Sequence, residues 1–273
     1  MCSPDPLPAG TRIACRIEYD GSRYNGWQSQ PQAHSTTVQD TLELALSRVA
    51  AQPLRVQCAG RTDSGVHGFA QTIHFDSPVE RSPKAWVLGT NANLPSDIRV
   101  HWAQAVPKDF HARFSAISRR YCYIIANTTI RPAHLNQQVT WYRHALDAQL
   151  MHREAQCLLG EQDFSAFRAA ACQSNSPYRN VQSLAVTRRG SLVVIDIQAN
   201  AFLHHMVRNI AGSLMLLGSG RQAVGWLAKV LAGRDRKLAA DTAAADGLYL
   251  MEVLYPERFT LPAVPEGPLI LGG

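Results

Sequence analysis

The sequence predicts a mixed α+β fold. Short runs of apolar and polar alternation recur along the chain, and stripes of helical spacing intervene between them. Hydrophobic residues make up 46% of the 273, enough for a packed core. That length suits one large domain or two compact halves. The formal charge of +6 favours an anionic partner, nucleic acid first. Six cysteines, at 2, 15, 58, 122, 157 and 172, include no Cys-x-x-Cys pair, so neither a zinc site nor a redox motif is signalled. Cys15, Cys58 and Cys122 lie in apolar runs as small core residues would, which points to a reducing compartment. Met1 to Gly10 is Pro-rich without a long apolar core, and no stretch reaches transmembrane length. The expectation is a soluble cytoplasmic protein with no membrane contact.

Thr11 to Tyr19 alternates, with Ile13, Cys15, Ile17 and Tyr19 on one face and Arg16 and Glu18 on the other, predicting a strand with one wet face. Asp20 to His34 reads as a polar loop. In it Trp27 is either an exposed stacking platform or a plug on the core. Thr36 or Thr37 can cap a helix, Gln39 standing at capping-box distance from Thr36. Val38, Leu42, Leu46 and Val49 form its apolar stripe. Ser82-Pro83 opens a second helix that ends by Asn91 to Pro95, and Ile98 to Val106 reads as a strand. Ser118 to Asn127 alternates, placing Arg119, Tyr121, Tyr123 and Ile125 on one face. These are either phosphate and base contacts or an ordinary strand over a core. Asp147 caps a helix to Leu159 with Gly160 as its stop, and Asp163 to Asn180 reads as a long loop. Val181 to Arg188 and Ser191 to Asn200 form a hairpin over Arg189-Gly190. Met206, Ile210, Leu214 and Leu217 define a helix ended by Gly218. His204 and His205, placed on that helix, would not share a face and so signal no metal. Ala223 to Ala232 is one more short helix, and Gly247 to Tyr255 a last strand.

Cys58 to Asp76 is the stretch around which the rest is organised. Gly60, Gly65 and Gly68 let the backbone turn between two strand-like runs, and Asp63 lies between them behind Arg61. A carboxylate on a tight loop between strands can be rigid and still meet a ligand, as catalysis requires. The residues leave three readings of Asp63 open. It can be a turn carboxylate bonding its own backbone. It can be half of a dimeric aspartic protease, since Asp63-Ser64-Gly65 matches that triplet and no second triplet occurs. Or the longer run, Gly60-Arg61-Thr62-Asp63-Ser64-Gly65-Val66-His67, is a signature in its own right.

That run resembles the catalytic signature of pseudouridine synthases, specifically the TruA family of tRNA enzymes. Four further runs match the family in order: Tyr19-Asp20-Gly21-Ser22 with Gly26-Trp27-Gln28, Phe110-His111-Ala112-Arg113-Phe114-Ser115, Arg119-Arg120-Tyr121-Cys122-Tyr123 and Met206-Val207-Arg208-Asn209. The resemblance covers roughly 13–256. It implies the pseudouridine synthase fold: two α/β halves sharing a mostly antiparallel sheet, with a central RNA-binding cleft. The boundaries expected are a tail at 1–10, halves at 11–109 and 110–258, and a tail at 259–273. It also implies an isomerase that converts uridine to pseudouridine at positions 38, 39 and 40 of the tRNA anticodon arm, as a homodimer without cofactor or metal. Asp63 is then the essential carboxylate, Arg208 its cationic partner, and Tyr121 the ring that packs on the uracil and serves in proton transfer, with Tyr123 the alternative. Arg61 guards the space left by the flipped base. Phe110, His111, Ala112, Arg113 and Phe114 hold the RNA, and Tyr249 and Leu250 line the pocket floor. The competing class is a non-catalytic RNA-binding protein, for which Asp63 would be an electrostatic cost.

Overall fold

The alternation in Arg12–Tyr19 forms strand β1, and its Ile13, Cys15, Ile17 and Tyr19 side chains enter one core. The computed structural model describes residues 5–30, 36–264 and 267–271. The chain divides into two units, Met1–Ile117 with Leu250–Gly273, and Ser118–Tyr249. In the first unit Thr37 caps helix α1, Val38–Ala50, through its side-chain oxygen on the Asp40 N–H. The expected Thr36–Gln39 box is not formed. Gln39 instead accepts from the Ser29 N–H and donates to Glu43. Strand β2, Gln57–Cys58, pairs with β3, His67–Asp76. Ser82 caps α2, Pro83–Asn93, as its sequence predicts, and β4, Ile98–Ala105, follows. Strand β1 lies between β3 and β4, antiparallel to both. Leu42 and Leu46 of α1 and Trp86 of α2 join β1, Ile73, Phe75 and Ile98 in one buried cluster.

The wet face expected for β1 keeps Glu18 partly exposed but is closed at Ala14 and Arg16. Ala14 packs with Val106, Phe110, Ala112 and Phe259, and Arg16 is buried with its guanidinium 5.0 Å from the Phe69 ring centroid. The cover comes from segments near 110 and 259, so the local alternation carried no sign of it. The apolar stem of an Arg can pack in this way while its head stacks on a ring.

In the second unit β5, Ser118–Ala126, pairs in parallel with the short β6, Thr140–Trp141. Asp147 caps α3, Ala148–Ala155, which ends earlier than the expected Leu159 because a tight turn, Gln156–Leu158, follows. Gly160 opens β7, Gly160–Asp163, and its partner β8, Tyr178–Arg189, takes the end of the expected loop into a ladder. The hairpin from β8 to β9, Leu192–Ala199, forms as predicted, and β9 pairs antiparallel with β5. Helix α4, Met206–Gly218, buries Met206, Ile210, Leu214 and Leu217, and α5 is Trp226–Gly233. Strand β10, Leu248–Leu254, carries the chain out of this unit. The architecture is mixed α/β with mostly antiparallel pairing. No described helix is long and apolar enough to cross a membrane. Pro31 and His34 of the expected loop, and residues 1–4, 265–266 and 272–273 of the expected tails, lie outside the described residues.

Trp27 is the plug. It is 1% exposed, packs on Tyr19 with ring centroids 5.7 Å apart, and bonds by its backbone to Thr62 and Gln39. Trp27→Ala should therefore lower folding stability by about 3–5 kcal/mol. Denaturant unfolding checks this; an unchanged midpoint would place Trp27 outside the core.

Candidate active site

The turn that carries Asp63 is built almost wholly from backbone contacts. The Val66 N–H donates to the Asp63 carbonyl at 3.1 Å, and Gly65 has φ +78° at the third position of this turn. That position demands positive φ in a type II turn. A second loop, Asp20 to Trp27, lies along the outside. The Trp27 N–H donates to the Thr62 carbonyl at 3.0 Å, and the Gly65 N–H and the Ser64 hydroxyl both reach the Tyr24 carbonyl. The Tyr19 and Thr62 hydroxyls meet at 2.8 Å. Gly26 has φ +83°, and a Cβ there would lie 2.7 Å from the Thr62 carbonyl oxygen and 3.1 Å from the Asp63 carbonyl carbon. On the other side the Gln71 amide donates to the Gly60 carbonyl at 2.6 Å. Thr62 is buried, Asp63 half-buried and Arg61 exposed. Burial pushes the nearby Cys58 thiol up to about 11, so it stays protonated near neutral pH.

The segment after β4 is fastened by Arg12. Its guanidinium pairs with Asp76 at 2.9 Å and donates to the carbonyls of Lys108 and Phe110. Phe110 is fully buried against Tyr255 and Phe259, and Ala112 is fully buried with its carbonyl accepting from the Tyr255 hydroxyl. These two positions hold the segment from inside. The surface it offers is Arg113 and Phe114, the latter 75% exposed. The Arg113 guanidinium lies 5.6 Å from the Phe114 ring centroid, and the His111 ring 4.4 Å from it. A cation beside an exposed ring can pair with phosphate and stack on a base.

In the second unit Tyr121 and Tyr123 point to opposite uses. The Tyr123 hydroxyl is committed to Thr140 at 2.6 Å and to the Ala244 carbonyl at 2.9 Å, and burial pushes its pKa up. The Tyr121 ring stands edge-on to Phe202, centroids 5.1 Å apart. Arg119 donates to the Asn200 carbonyl, and Arg120 pairs with Asp196. Arg208 lies on the first turns of α4, its Nε donating to the Ala243 carbonyl at 2.8 Å while its own carbonyl accepts from the Ala243 N–H. The guanidinium is thereby oriented from one side. His204 and His205 precede α4 rather than lie on it. His205 has φ +61°, and the left-handed step stacks the two rings 4.0 Å apart, which a helical placement could not do. The Tyr249 hydroxyl donates to the Gln138 carbonyl at 2.6 Å, and Leu250 is fully buried.

The family model described as "tRNA pseudouridine synthase" matches residues 16–115 and 155–256. The chain belongs to the tRNA pseudouridine synthase family. A tRNA pseudouridine synthase A from Escherichia fergusonii is 59% identical over 269 residues, 98% of this chain and 99% of the relative. One from Citrobacter koseri is 58% identical over 264 residues, 97% of each chain. A chain from a crystal structure of a Cbf5-Nop10-Gar1 complex aligns over 75% of this chain and 45% of its own, with 12% identity and a TM-score of 0.33.

Sequence reasoning missed two histidines of this family member. His67 is 2% exposed at the foot of the Asp63 turn. His74 is 4% exposed, and its Nδ1 accepts from the Ala112 N–H at 3.1 Å, which requires that nitrogen to be unprotonated. His67 stood out only as the last letter of the signature run and His74 only as one polar residue in the apolar run after it, and neither signal separates a buried His from an exposed one. Burial first, then His111 and Arg12, lowers the His74 pKa to about 4. The unfolded chain therefore takes up the proton first, and stability falls as pH drops from about 6.5 towards 4. The loss over that range is on the order of 3 kcal/mol. Melting temperatures near neutral pH and near pH 5 should differ less in His74→Asn, whose side-chain oxygen can still accept from Ala112. An identical drop in both proteins would contradict this.

Proposed function

We propose that the protein isomerises uridine to pseudouridine in tRNA, acting on positions 38, 39 and 40 of the anticodon arm. The observation that carries this reading is the near-full-length similarity, at 58–59% identity, to proteins named tRNA pseudouridine synthase A. The placing of Asp63 on a turn pinned from both sides supports it. The reaction breaks the bond from ribose C1′ to uracil N1 and turns the base. It then joins C1′ to C5, and C5 loses its proton while N1 gains one. A carboxylate at the glycosidic bond can act as nucleophile or base in the first step. Asp63 is that group in this proposal, and Arg208 is the cation that favours its ionised form. Tyr121 supplies a ring for the uracil and a hydroxyl for proton transfer. The target base must leave the helical stack, and Arg61 guards the space it vacates. Arg113 and Phe114 supply charge and a stacking face on the segment that Phe110, His111 and Ala112 hold in shape. Tyr249 and Leu250 line the apolar part of the pocket.

The working form in this proposal is a cytoplasmic homodimer that needs no metal or cofactor, one subunit being small beside a whole tRNA. Light scattering should give twice the chain mass, and a monomer at micromolar concentration would remove the dimer. Affinity for tRNA should fall steeply with salt, since phosphate contacts release counterions. Binding that is unchanged between low and moderate salt would rule out a cationic RNA surface. Tritium release from tRNA labelled at uridine C5 tests the reaction itself. Asp63→Asn keeps size and should abolish release while tRNA binding persists. A folded variant that releases tritium at the wild-type rate would remove Asp63 from the mechanism.

A further inference from the structure

We propose that His67 is a positioning residue for Asp63, latching the outer loop that pins the Asp63 turn. This rests on the reading of Asp63 as the reacting carboxylate. His67 is the first residue of β3 and follows the turn directly. Its Nδ1 stands 3.1 Å from the Gly21 amide nitrogen and 3.2 Å from an Asp20 carboxylate oxygen. One ring nitrogen thus faces a donor and an acceptor. Unprotonated, it accepts from Gly21; protonated, it donates to Asp20. In either state the ring ties the end of the turn to the start of the outer loop.

The contact lies where that loop comes closest. A Cβ on Gly21 would fall 1.9 Å from the Val66 carbonyl oxygen, so backbone meets backbone with no side chain between. Asp20 also caps the Ser22 N–H at 2.9 Å. His67 comes first among the groups holding the Asp20 carboxyl below its ordinary range. Beyond this corner the loop makes its other attachments to the turn: Tyr24 to Ser64 and Gly65, Trp27 to Thr62. The far side of the loop is anchored independently, by the Asp20 N–H on the Asp97 carbonyl and the Tyr24 hydroxyl on the Asp97 carboxylate. Loss of the latch should therefore loosen the turn without unfolding the unit. A small displacement of a reacting group costs rate out of proportion to its size.

The test compares three variants by single-turnover rate at saturating protein, tRNA affinity and melting temperature. His67→Phe keeps a ring and removes Nδ1. Its rate should fall about tenfold or more while affinity stays within about twofold, because orientation and not RNA contact is lost. His67→Asn places an oxygen where Nδ1 was and should recover most of the rate, since it can accept from Gly21. Should His67→Phe not fold, His67→Leu carries the test, removing Nδ1 with a smaller apolar side chain, and should slow the reaction by about tenfold or more with unchanged affinity. A folded His67→Phe, or His67→Leu in its place, at the wild-type rate overturns the proposal. So does a His67→Asn no faster than His67→Phe. Asp63→Asn is measured beside them. If it reacts normally, the reading of Asp63 has failed. If it is inactive while His67→Phe is not, the latch alone has failed.

Discussion

The close packing of two backbones at the Asp63 turn is the constraint on which this site depends. Gly21 lies against the Val66 carbonyl, and Gly26 against Thr62 and Asp63, at separations that no Cβ would fit. Backbone contact of this kind leaves little freedom, because each segment fills the space the other would move into. The same loop then buries Trp27 and joins the Tyr19 and Thr62 hydroxyls, so it is held by the core as well as by hydrogen bonds. A carboxylate on a turn gains accurate placement only when the turn has nowhere else to go. Here the absent side chains of Gly21 and Gly26 let the two backbones meet, and the buried side chains around them hold the contact.

A comparable arrangement holds the charged and aromatic groups elsewhere. Arg12 spends its guanidinium on Asp76 and on two carbonyls of the segment before Arg113, and His74 holds the Ala112 amide. Arg208 is bonded through Nε to a backbone carbonyl, which fixes the plane of its guanidinium. Exposed groups such as Arg113 and Phe114 thus stand on a buried base made of Phe110 and Ala112. Exposed groups on an ordered base need little rearrangement to meet a ligand, since ordering the protein at the moment of binding would reduce affinity.

The sequence made the elements legible where the pattern is local. Val38, Leu42 and Leu46 announced α1, Ser82-Pro83 announced α2, and the spacing from Met206 to Leu217 announced α4. It failed where cover comes from afar. The wet face expected for β1 keeps Glu18 partly exposed, but its Ala14 end is closed by residues near 110 and 259, a distance that no alternation records. The stop expected at Gly160 came earlier because the chain tightens into a single turn after Ala155. His204 and His205 were expected on a helix, and one left-handed residue moved them in front of it. At the site Gly26 and Trp27 were visible as a motif, but not that Trp27 points inward. His67 was visible only as a letter in a longer run, since its partners Asp20 and Gly21 lie far away in sequence.

Uridine and pseudouridine have the same mass and composition, so an isomerase leaves a distinct result. An unmodified tRNA transcript is incubated with the purified protein, digested to nucleosides and separated, with the modified positions mapped by carbodiimide adducts that stop primer extension. The account predicts one-for-one conversion of uridine to its isomer within positions 38, 39 and 40, with no added metal or cofactor. A folded protein that binds the transcript and leaves every uridine unchanged would contradict it.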